Sequence, residues 1–360
     1  RTVKNNFITL CRTITIETLG RVMNILHFLL PLPIVFTTVS SPAWSQETTD
    51  PEPHEPVLSI HLRGQSFPRG LQFSDDGSTI WINTLDAWNV DTGKKVLNSP
   101  LSVRKVSSPI IDIASQTMLI ASRESGDLLL WRENGQPEER ELSQTGKLRT
   151  ARLLDQGKRF ALVFLDPPSV YFGHVDSDKG DSITPLPFEA YRCKIAPNGN
   201  LLAIREEREV KIWDLKRQEP RVVLKHKHKL FSHVFSADSR LLATGSSNDN
   251  IVRIFDTEDG ELLAEMSGHG RGNIFLASAV YSLAFSPDGK RLASGGHDGR
   301  VIVWDVETHQ SIMKVKIPGP PIVCAVAFST DSKSVACCFE NAGAKRGIRV
   351  WRIPNKDENR

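Results

Sequence analysis

Residues 281–305 read YSLAFSPDGKRLASGGHDGRVIVWD, a stretch in which two turn signals separate three short apolar runs. In Ser286–Gly289 (SPDG), proline presets φ and glycine accepts a positive φ, so a tight turn is expected. The Asp-Gly pair at 298–299 is a hairpin signal, and the β-branched run after it ends on Trp304. The stretch therefore predicts a three-stranded meander, which cannot bury its apolar face unless similar units pack against it.

The meander recurs along the chain when two markers are followed. The last apolar residue before the first turn falls at seven positions, 40 to 50 residues apart: Phe73, Ile113, Leu153, Ile195, Phe235, Phe285 and Phe328. The aromatic residue that closes the third strand also gives seven positions: Trp88, Trp131, Phe172, Trp213, Phe255, Trp304 and Trp351. Two markers with the same count and a period of about 40–45 residues are typical of propeller blades.

The residues that close the third strand also carry a family signature. Trp-Asp stands at 213–214 and 304–305, and Phe-Asp at 255–256 comes close to it. On this evidence the chain from Val57 to Pro354 resembles a WD-repeat propeller. The resemblance implies an all-β fold of seven blades, each a four-stranded antiparallel sheet. Unit three, with Phe-Gly at 172–173, is assigned mainly by its spacing.

The phase of the repeat predicts how the ring closes. Val57–Leu62 is followed by Arg-Gly-Gln, much as the fourth strand at Leu262–Met266 is followed by Ser-Gly-His. After Trp351 only the polar segment 352–360 remains, which includes a tail at 355–360. We therefore expect the first strand to complete the last blade, which removes a free sheet edge.

Charge is balanced over the predicted propeller. The whole chain carries a formal charge of +3, and residues 1–45, with Arg1, Lys4, Arg12 and Arg21 against Glu17, account for all of it. A neutral ring offers no general electrostatic attraction to nucleic acid or to an anionic membrane. We expect neither as a partner.

The first 45 residues are interpreted as an export leader. Ile25–Val39 is apolar but short and broken by proline, while Ala43 and Ser45 place small residues at a cleavage site before Gln46. Met23 is a candidate start, which would leave a weaker basic flank. The acidic, proline-rich segment 46–56 is expected to be a disordered linker. We expect an exported bacterial protein, periplasmic or extracellular, without a membrane span in the mature chain; the alternative is tethering by an uncleaved leader.

The cysteines do not form a disulfide framework. Cys11 lies in the leader, and Cys193, Cys324, Cys337 and Cys338 remain. If Phe328 pairs with Val335, Cys324 lies diagonal to Cys337, which is a poor geometry for a disulfide. Buried free thiols are expected.

The resemblance also implies a buried hydrogen-bonded tetrad in unit six, made of His269, Ser294, Asp298 and Trp304. Such a set superficially resembles a hydrolase triad, but we favour a structural role in stapling loops within a blade. Unit five keeps His226, Thr244 and Asp249 but has Phe255 in place of Trp. The His position of units one to four holds Gln65, Arg104, Gln144 and Leu186.

Two histidine features leave alternatives open. His233 stands where the other innermost strands carry apolar residues, so it either lines the channel as a ligand or is a satisfied core histidine. The run Lys225–Lys229 (KHKHK) either binds an anion or metal, or is a solvated loop, which we favour.

Two insertions locate the candidate binding surface. Surplus residues fall in Gly268–Ala279 and in Glu340–Gly347, and in the family such loops emerge on the same rim of neighbouring blades. Binding residues are often carried by loops on a rigid scaffold. The candidate partner-binding residues are Arg271, Ile274, Phe275, Leu276, Asn341, Lys345 and Arg346, with Arg205–Arg208 and Lys227–Lys229 further round. The alternative is a loop that folds over its own blade.

The function expected from the sequence is a non-catalytic interaction scaffold that binds a protein or peptide on one face. The sequence shows no glycine-rich phosphate loop, nucleophile elbow or paired Cys-x-x-Cys motif, and we expect no catalytic residue, cofactor or metal. The alternative is a ligand-binding, metal-binding or enzymatic propeller that uses the channel mouth. A structural part of a larger envelope assembly is not distinguished from the first hypothesis.

Overall fold

The computed structural model describes residues 55–62, 70–82, 86–96, 109–114, 117–124, 127–132, 138–270, 279–319, 321–341 and 346–354. The strands of the first half are β1 (Leu58–Leu62), β2 (Leu71–Phe73), β3 (Thr79–Ile82), β4 (Ala87–Asn89), β5 (Pro109–Ala114), β6 (Thr117–Ser122), β7 (Leu128–Arg132), β8 (Glu138–Arg140), β9 (Leu148–Leu154), β10 (Arg159–Leu165), β11 (Pro168–His174), β12 (Ser177–Pro185) and β13 (Cys193–Ile195). Those of the second half are β14 (Leu201–Arg205), β15 (Glu209–Asp214), β16 (Glu219–Lys225), β17 (Leu230–Phe235), β18 (Leu241–Ser246), β19 (Ile251–Asp256), β20 (Leu262–Ser267), β21 (Val280–Phe285), β22 (Arg291–Gly296), β23 (Arg300–Asp305), β24 (Ser311–Lys316), β25 (Pro321–Phe328), β26 (Ser334–Asn341) and β27 (Arg346–Arg352).

These strands form seven antiparallel sheets, and no α-helix occurs in the described ranges. Blades 1 to 7 begin with β2, β5, β9, β13, β17, β21 and β25, and the described part of blade 1 has three strands where the others have four. Each of these first strands contacts the first strand of the next blade, and β25 of blade 7 contacts β2 of blade 1. The first strands therefore surround a central channel, and the predicted seven-bladed β-propeller is confirmed.

The ring is closed by β1, which pairs with β27 as the outermost strand of blade 7. Ile60 lies opposite Ile348, and both are buried in the apolar cluster that blade 7 shares with blade 1. The predicted completion of the last blade by the N-terminal strand is confirmed.

The register explains why the two sequence markers recur together. In blade 6, Phe285 pairs with Leu292, and Leu292 pairs with Trp304, so the two markers flank one residue of the second strand. Blade 3 departs from this pattern, and the assignment of Phe172 as its aromatic marker is wrong. The residue opposite Phe160 is Gly173, and a Cβ on Gly173 would lie 2.3 Å from the Phe160 ring. In this blade the second strand thus supplies the aromatic ring that the third strand supplies elsewhere.

Polar side chains tie neighbouring blades together around the channel. In blades 1 to 3, Gln72 Nε2 donates to Ile113 O at 3.0 Å, Leu153 N donates to Asp112 Oδ2 at 2.6 Å, and Arg152 Nη1 donates to Ile195 O at 3.3 Å. In blades 5 and 6, Ser232 Oγ donates to Val280 O at 2.9 Å, and Val326 N donates to Ser282 Oγ at 3.0 Å. Because each bond joins one first strand to the next, these bonds stabilise the ring circumferentially.

The four cysteines among the described residues are free and buried, as predicted. Phe328 pairs with Val335, which places Cys337 opposite Val326 and Cys338 opposite Ala325. Burial raises the pKa of the Cys193 thiol to about 12, and it also raises the pKa of Cys338. These thiols are poor nucleophiles and serve as small core residues.

Candidate functional site

In blade 6, His269, Ser294, Asp298 and Trp304 lie within hydrogen-bonding distance of one another. His269 Nδ1 lies 3.0 Å from Asp298 Oδ1, and His269 Nε2 lies 2.8 Å from Ser294 Oγ. Trp304 Nε1 donates to the same Ser294 Oγ at 2.8 Å. Burial alone would raise the pKa of Asp298, but the hydrogen bond and charge of His269 and the backbone N–H of Gly270 lower it overall.

The burial of this tetrad decides between a structural and a catalytic role. Ser294 has no exposed surface, and the side chains of His269 and Asp298 are only 1% and 5% exposed. The serine oxygen therefore cannot reach a substrate, and Trp304 already occupies one of its lone pairs. The tetrad fastens His269, which follows β20, to the hairpin between β22 and β23, and so holds one edge of blade 6 in place.

The corresponding residues of blade 5 do not form this network. Neither ring nitrogen of His226 has a hydrogen-bond partner, and the hydroxyl of Thr244 has none. Asp249 is bound instead by Arg253, whose Nη2 lies 2.9 Å from Asp249 Oδ2. His226 packs edge-on against Phe255, with ring centroids 5.2 Å apart. Blade 5 thus has Phe255 in place of the tryptophan donor, and its aspartate, Asp249, pairs with Arg253 instead of with a histidine.

His233 is a core histidine. It is 8% exposed, and its Nε2 lies 3.3 Å from the carbonyl oxygen of Ala203 in blade 4. Burial lowers its pKa to about 3, with further contributions from Arg205 and Lys194. A neutral imidazole that donates to a carbonyl is satisfied where it lies, so the structure favours the core interpretation over a channel ligand.

The depressed pKa of His233 predicts a loss of stability in mild acid. Unfolded histidine titrates near pH 6.5, so below that pH the unfolded chain takes up a proton that the folded chain refuses until about pH 3. We expect the free energy of unfolding to fall by about 2 kcal/mol from this residue between pH 7.5 and pH 5. Urea denaturation at both pH values measures it. His233→Gln should remove this part of the pH dependence, while the exposed His61→Gln should not; equal slopes for all three proteins would contradict the assignment.

Most of the predicted partner-binding residues fall outside the described residues: Arg271, Ile274, Phe275, Leu276 and Lys345. Asn341 Nδ2 donates to Pro318 O at 3.3 Å. Arg346 Nη2 lies 2.7 Å from Glu340 Oε1, and its side chain is only 12% exposed. Arg346 therefore helps to fix the hairpin between β26 and β27 rather than projecting freely.

The face on which the chain enters the innermost strands carries a group of residues of which the sequence pattern had indicated only Arg205. We call them the entry cluster: Arg149, Tyr191, Arg192, Arg205, Phe231, Tyr281 and His297. The Tyr281 ring lies 5.2 Å from that of His297 and 6.0 Å from that of Phe231. Tyr191 is 58% exposed and Tyr281 37% exposed. In the sequence, the insertion at Gly268–Ala279 immediately precedes β21 and Tyr281.

The entry cluster is also basic. Burial lowers the pKa of Arg205 to about 10, and the charges of Arg192 and Arg149 lower it further, whereas Tyr281 raises it. Like charges held this close repel one another and favour an anionic partner. A usable signal existed in the sequence, because Arg149, Tyr191, Phe231 and Tyr281 all stand four residues before an apolar marker.

A known protein family matches the part of the chain that includes blades 5 and 6. The family described as WD domain, G-beta repeat matches residues 218–256 and 260–305. Each match begins near the fourth strand of one blade and ends with the third strand of the next, which is the phase that makes closure by β1 necessary. The chain contains WD40 repeats.

Several curated proteins resemble part of the chain. Protein FIZZY-RELATED 3 of Arabidopsis thaliana is 27% identical over 46% of this chain and 35% of its own length. WD repeat and SOCS box-containing protein 1 of Takifugu rubripes is 35% identical over 33% of this chain and 25% of its own length. Ribosome biogenesis protein YTM1 of Scheffersomyces stipitis is 32% identical over 34% of this chain and 26% of its own length. The matches thus span a quarter to about a third of these relatives.

A solved structure supports the fold over most of the chain. The β-propeller domain of Cps50 (Swd1) from Myceliophteria thermophila aligns with a TM-score of 0.57 and 14% sequence identity, and covers 82% of this chain and 100% of that domain. At this identity the likeness shows the β-propeller fold alone. No helix in the described ranges is long and apolar enough to cross a membrane.

Proposed function

We propose that the chain is a non-catalytic interaction scaffold that binds a protein or peptide partner through the entry face. The proposal rests on the entry cluster, where exposed Tyr281 lies among three arginines and exposed Tyr191 directly precedes one of them, Arg192. Tyrosine and arginine are the residue types that contribute most often to binding energy at protein interfaces, because they combine large contact area with polar groups.

The chemistry of the cluster favours a partner segment that is both acidic and apolar. Arg192 is exposed and Arg205 is half-buried, so an approaching carboxylate can be paired without first breaking an ion pair between described residues. The rings of Phe231 and Tyr281 lie side by side and offer an apolar surface next to these charges. A short acidic segment with an aromatic or aliphatic anchor fits both features.

The inserted loops belong to the same proposal. Residues Arg271, Ile274, Phe275 and Leu276 precede β21, whose second residue is Tyr281. An apolar triplet beside the entry cluster would serve as a further anchor for a partner. Export by the leader at residues 1–45, and with it a periplasmic or extracellular location, is likewise part of the proposal and rests on the sequence pattern.

Capture of native partners tests the proposal. The full chain, tagged at its C terminus, is expressed in its native host, and proteins bound to it are quantified by mass spectrometry in the cytoplasmic and exported fractions. We expect Arg192→Glu and Phe275→Ala each to reduce the main partner about tenfold, since each removes an anchor of the face. The matched control is Arg240→Glu, an exposed arginine on the opposite, first-turn side of blade 5. Equal capture by all variants, or equal loss with Arg240→Glu, would contradict the assignment of this face.

The rival hypothesis of a metal-dependent propeller finds no donor set in the described ranges, where no three His, Cys, Asp or Glu residues could hold a metal ion. Among the relatives named above, one is named for a WD repeat and SOCS box and one for ribosome biogenesis, and none of the three names an enzyme activity. The channel wall instead carries the positively charged side chains of Arg152 and Lys194, which are the basis of a separate inference.

A further inference from the structure

Seven equivalent positions lie on the innermost strands, one residue before each apolar marker. We call them the channel tier: Gln72, Asp112, Arg152, Lys194, Val234, Ala284 and Ala327. Blades 1 to 4 supply polar or charged side chains and blades 5 to 7 supply small apolar ones. The polar side chains are therefore concentrated on one side of the ring. Such a concentration of polar groups beside apolar ones is typical of the lining of a ligand site.

Three of the four polar members are held by the neighbouring blade. Gln72 and Arg152 donate to carbonyl oxygens of the next first strand, and Asp112 accepts from the N–H of Leu153 at 2.6 Å. Lys194 differs, because its ammonium group makes no hydrogen bond or ion pair within 4.0 Å to any residue that the structure describes. Its ammonium group therefore has three donors available in the channel.

A cavity of about 250 Å³ lies against these side chains, with Gln72, Asp112, Arg152 and Lys194 all in its wall. Thr150, from the same strand as Arg152, adds a hydroxyl group to the lining. The volume suits a small molecule and is below the range of about 300–1,000 Å³ typical for larger ligands.

The electrostatics of the cavity favour a negative ligand. Lys194 faces solvent inside the channel but is surrounded by protein, so desolvation lowers its pKa, and the charge of Arg152 lowers it further. Burial also raises the pKa of Asp112, although Arg152 and the N–H of Leu153 oppose this. Two cations thus share the wall with one carboxylate, whose oxygens already accept hydrogen bonds from Leu153 and Gln72. An added anion would satisfy Lys194 and relieve its repulsion from Arg152.

We propose that this cavity binds a small oxyanion, the carboxylate or phosphate group of a low-molecular-weight anion, between Lys194 and Arg152. Arg152 donates one N–H to Ile195 O, and the other N–H groups of its planar guanidinium can bind the anion. Lys194 supplies the second charge, and Thr150 and Gln72 offer neutral contacts. The proposed ligands belong to the channel tier and not to the entry cluster, although the charge of Arg149 in the entry cluster also lowers the pKa of Lys194.

Isothermal titration calorimetry on the purified full chain tests the proposal. Inorganic phosphate and succinate are titrated separately at constant ionic strength. A titration with sodium chloride serves as the reference, because chloride is not an oxyanion. The proteins compared are the wild type, Lys194→Met and Lys216→Met, the last being an exposed lysine in the turn after β15 of the same blade. We expect one site for at least one of the two oxyanions, weakened about tenfold or more by Lys194→Met and unchanged by Lys216→Met.

The outcomes separate the sources of the oxyanion and can overturn the site. Phosphate binding that depends on Lys194 assigns a phosphate ligand, and succinate binding that depends on it assigns a carboxylate ligand. Absence of binding for both anions, or equal weakening in both lysine variants, overturns the proposal. Lys194→Gln, which keeps a polar group in the channel, replaces Lys194→Met if that variant does not fold, and it is expected to show the same loss.

Discussion

Ile60→Asp is expected to lower the free energy of unfolding by about 3–5 kcal/mol, the largest effect of any single change considered. Ile60 is 8% exposed and lies opposite Ile348 in the cluster between blades 7 and 1. A carboxylate there is either buried without a partner or drawn out to water together with β1. In the second case β27 presents a free edge, so association between molecules is expected as well.

Ser59→Asp is the matched control for this change. It adds the same charge on the same strand, but Ser59 is exposed and lies opposite Arg349. Its effect on the unfolding free energy should stay within about 0.5 kcal/mol. Urea denaturation followed by tryptophan fluorescence measures both variants. Equal stability of the two would mean that β1 does not pack into the ring.

Ser294→Ala is expected to cost about 2–4 kcal/mol of stability, although it removes a single oxygen atom. That oxygen bonds Trp304 Nε1 and His269 Nε2, both at 2.8 Å, in a site without solvent access. Its loss leaves a buried indole N–H without an acceptor and breaks the link between His269 and the strand. The cost arises from these stranded groups rather than from the loss of packing volume.

Blade 5 offers a matched control for this prediction at the same position of its second strand. Thr244 pairs with His233 as Ser294 pairs with Leu283, but the Thr244 hydroxyl has no hydrogen-bond partner. Thr244→Val should therefore be neutral or slightly stabilising, since it removes an unsatisfied buried group. Urea midpoints of the two variants provide the comparison. A similar cost for both would show that the tetrad contributes no specific stability.

The number, phase and closure of the blades could be predicted because turn chemistry and apolar spacing repeat along the chain. The Ser286–Asp288 turn shows why: Ser286 Oγ donates to Asp288 Oδ1 at 2.6 Å and accepts from Arg291 N at 2.9 Å, so residues close in sequence shape the hairpin. Blade 7 adds two further bonds, from Asp288 N and Arg291 Nη1 to Ser332. Blade 3 could not be assigned correctly at its aromatic marker. The ring of Phe160 fills that space from the second strand, and spacing alone does not reveal which strand contributes the ring.

The binding surfaces were harder to predict, because they depend on which residues of different blades meet. His233 stood out in the sequence because the equivalent positions of the other innermost strands are apolar, and in the structure it is a core residue. The charged places one residue later, Arg152 and Lys194, converge only when four blades surround the channel. Likewise, Arg253 captures Asp249 in blade 5 through a contact that the sequence motif does not specify.

The closed ring is the claim on which the channel tier and the entry face both depend, and a cross-link between β1 and β27 tests it most directly. Ser59 and Arg349 are directly opposite, where Cβ atoms are about 4.5–5.5 Å apart, close to the reach of a disulfide. We predict that oxidised Ser59→Cys/Arg349→Cys forms this bond, seen by peptide mass mapping, whereas Ser59→Cys/Arg352→Cys, three residues out of register, does not. Failure of the first pair to cross-link, or equal cross-linking of both, would contradict a propeller closed by its N-terminal strand.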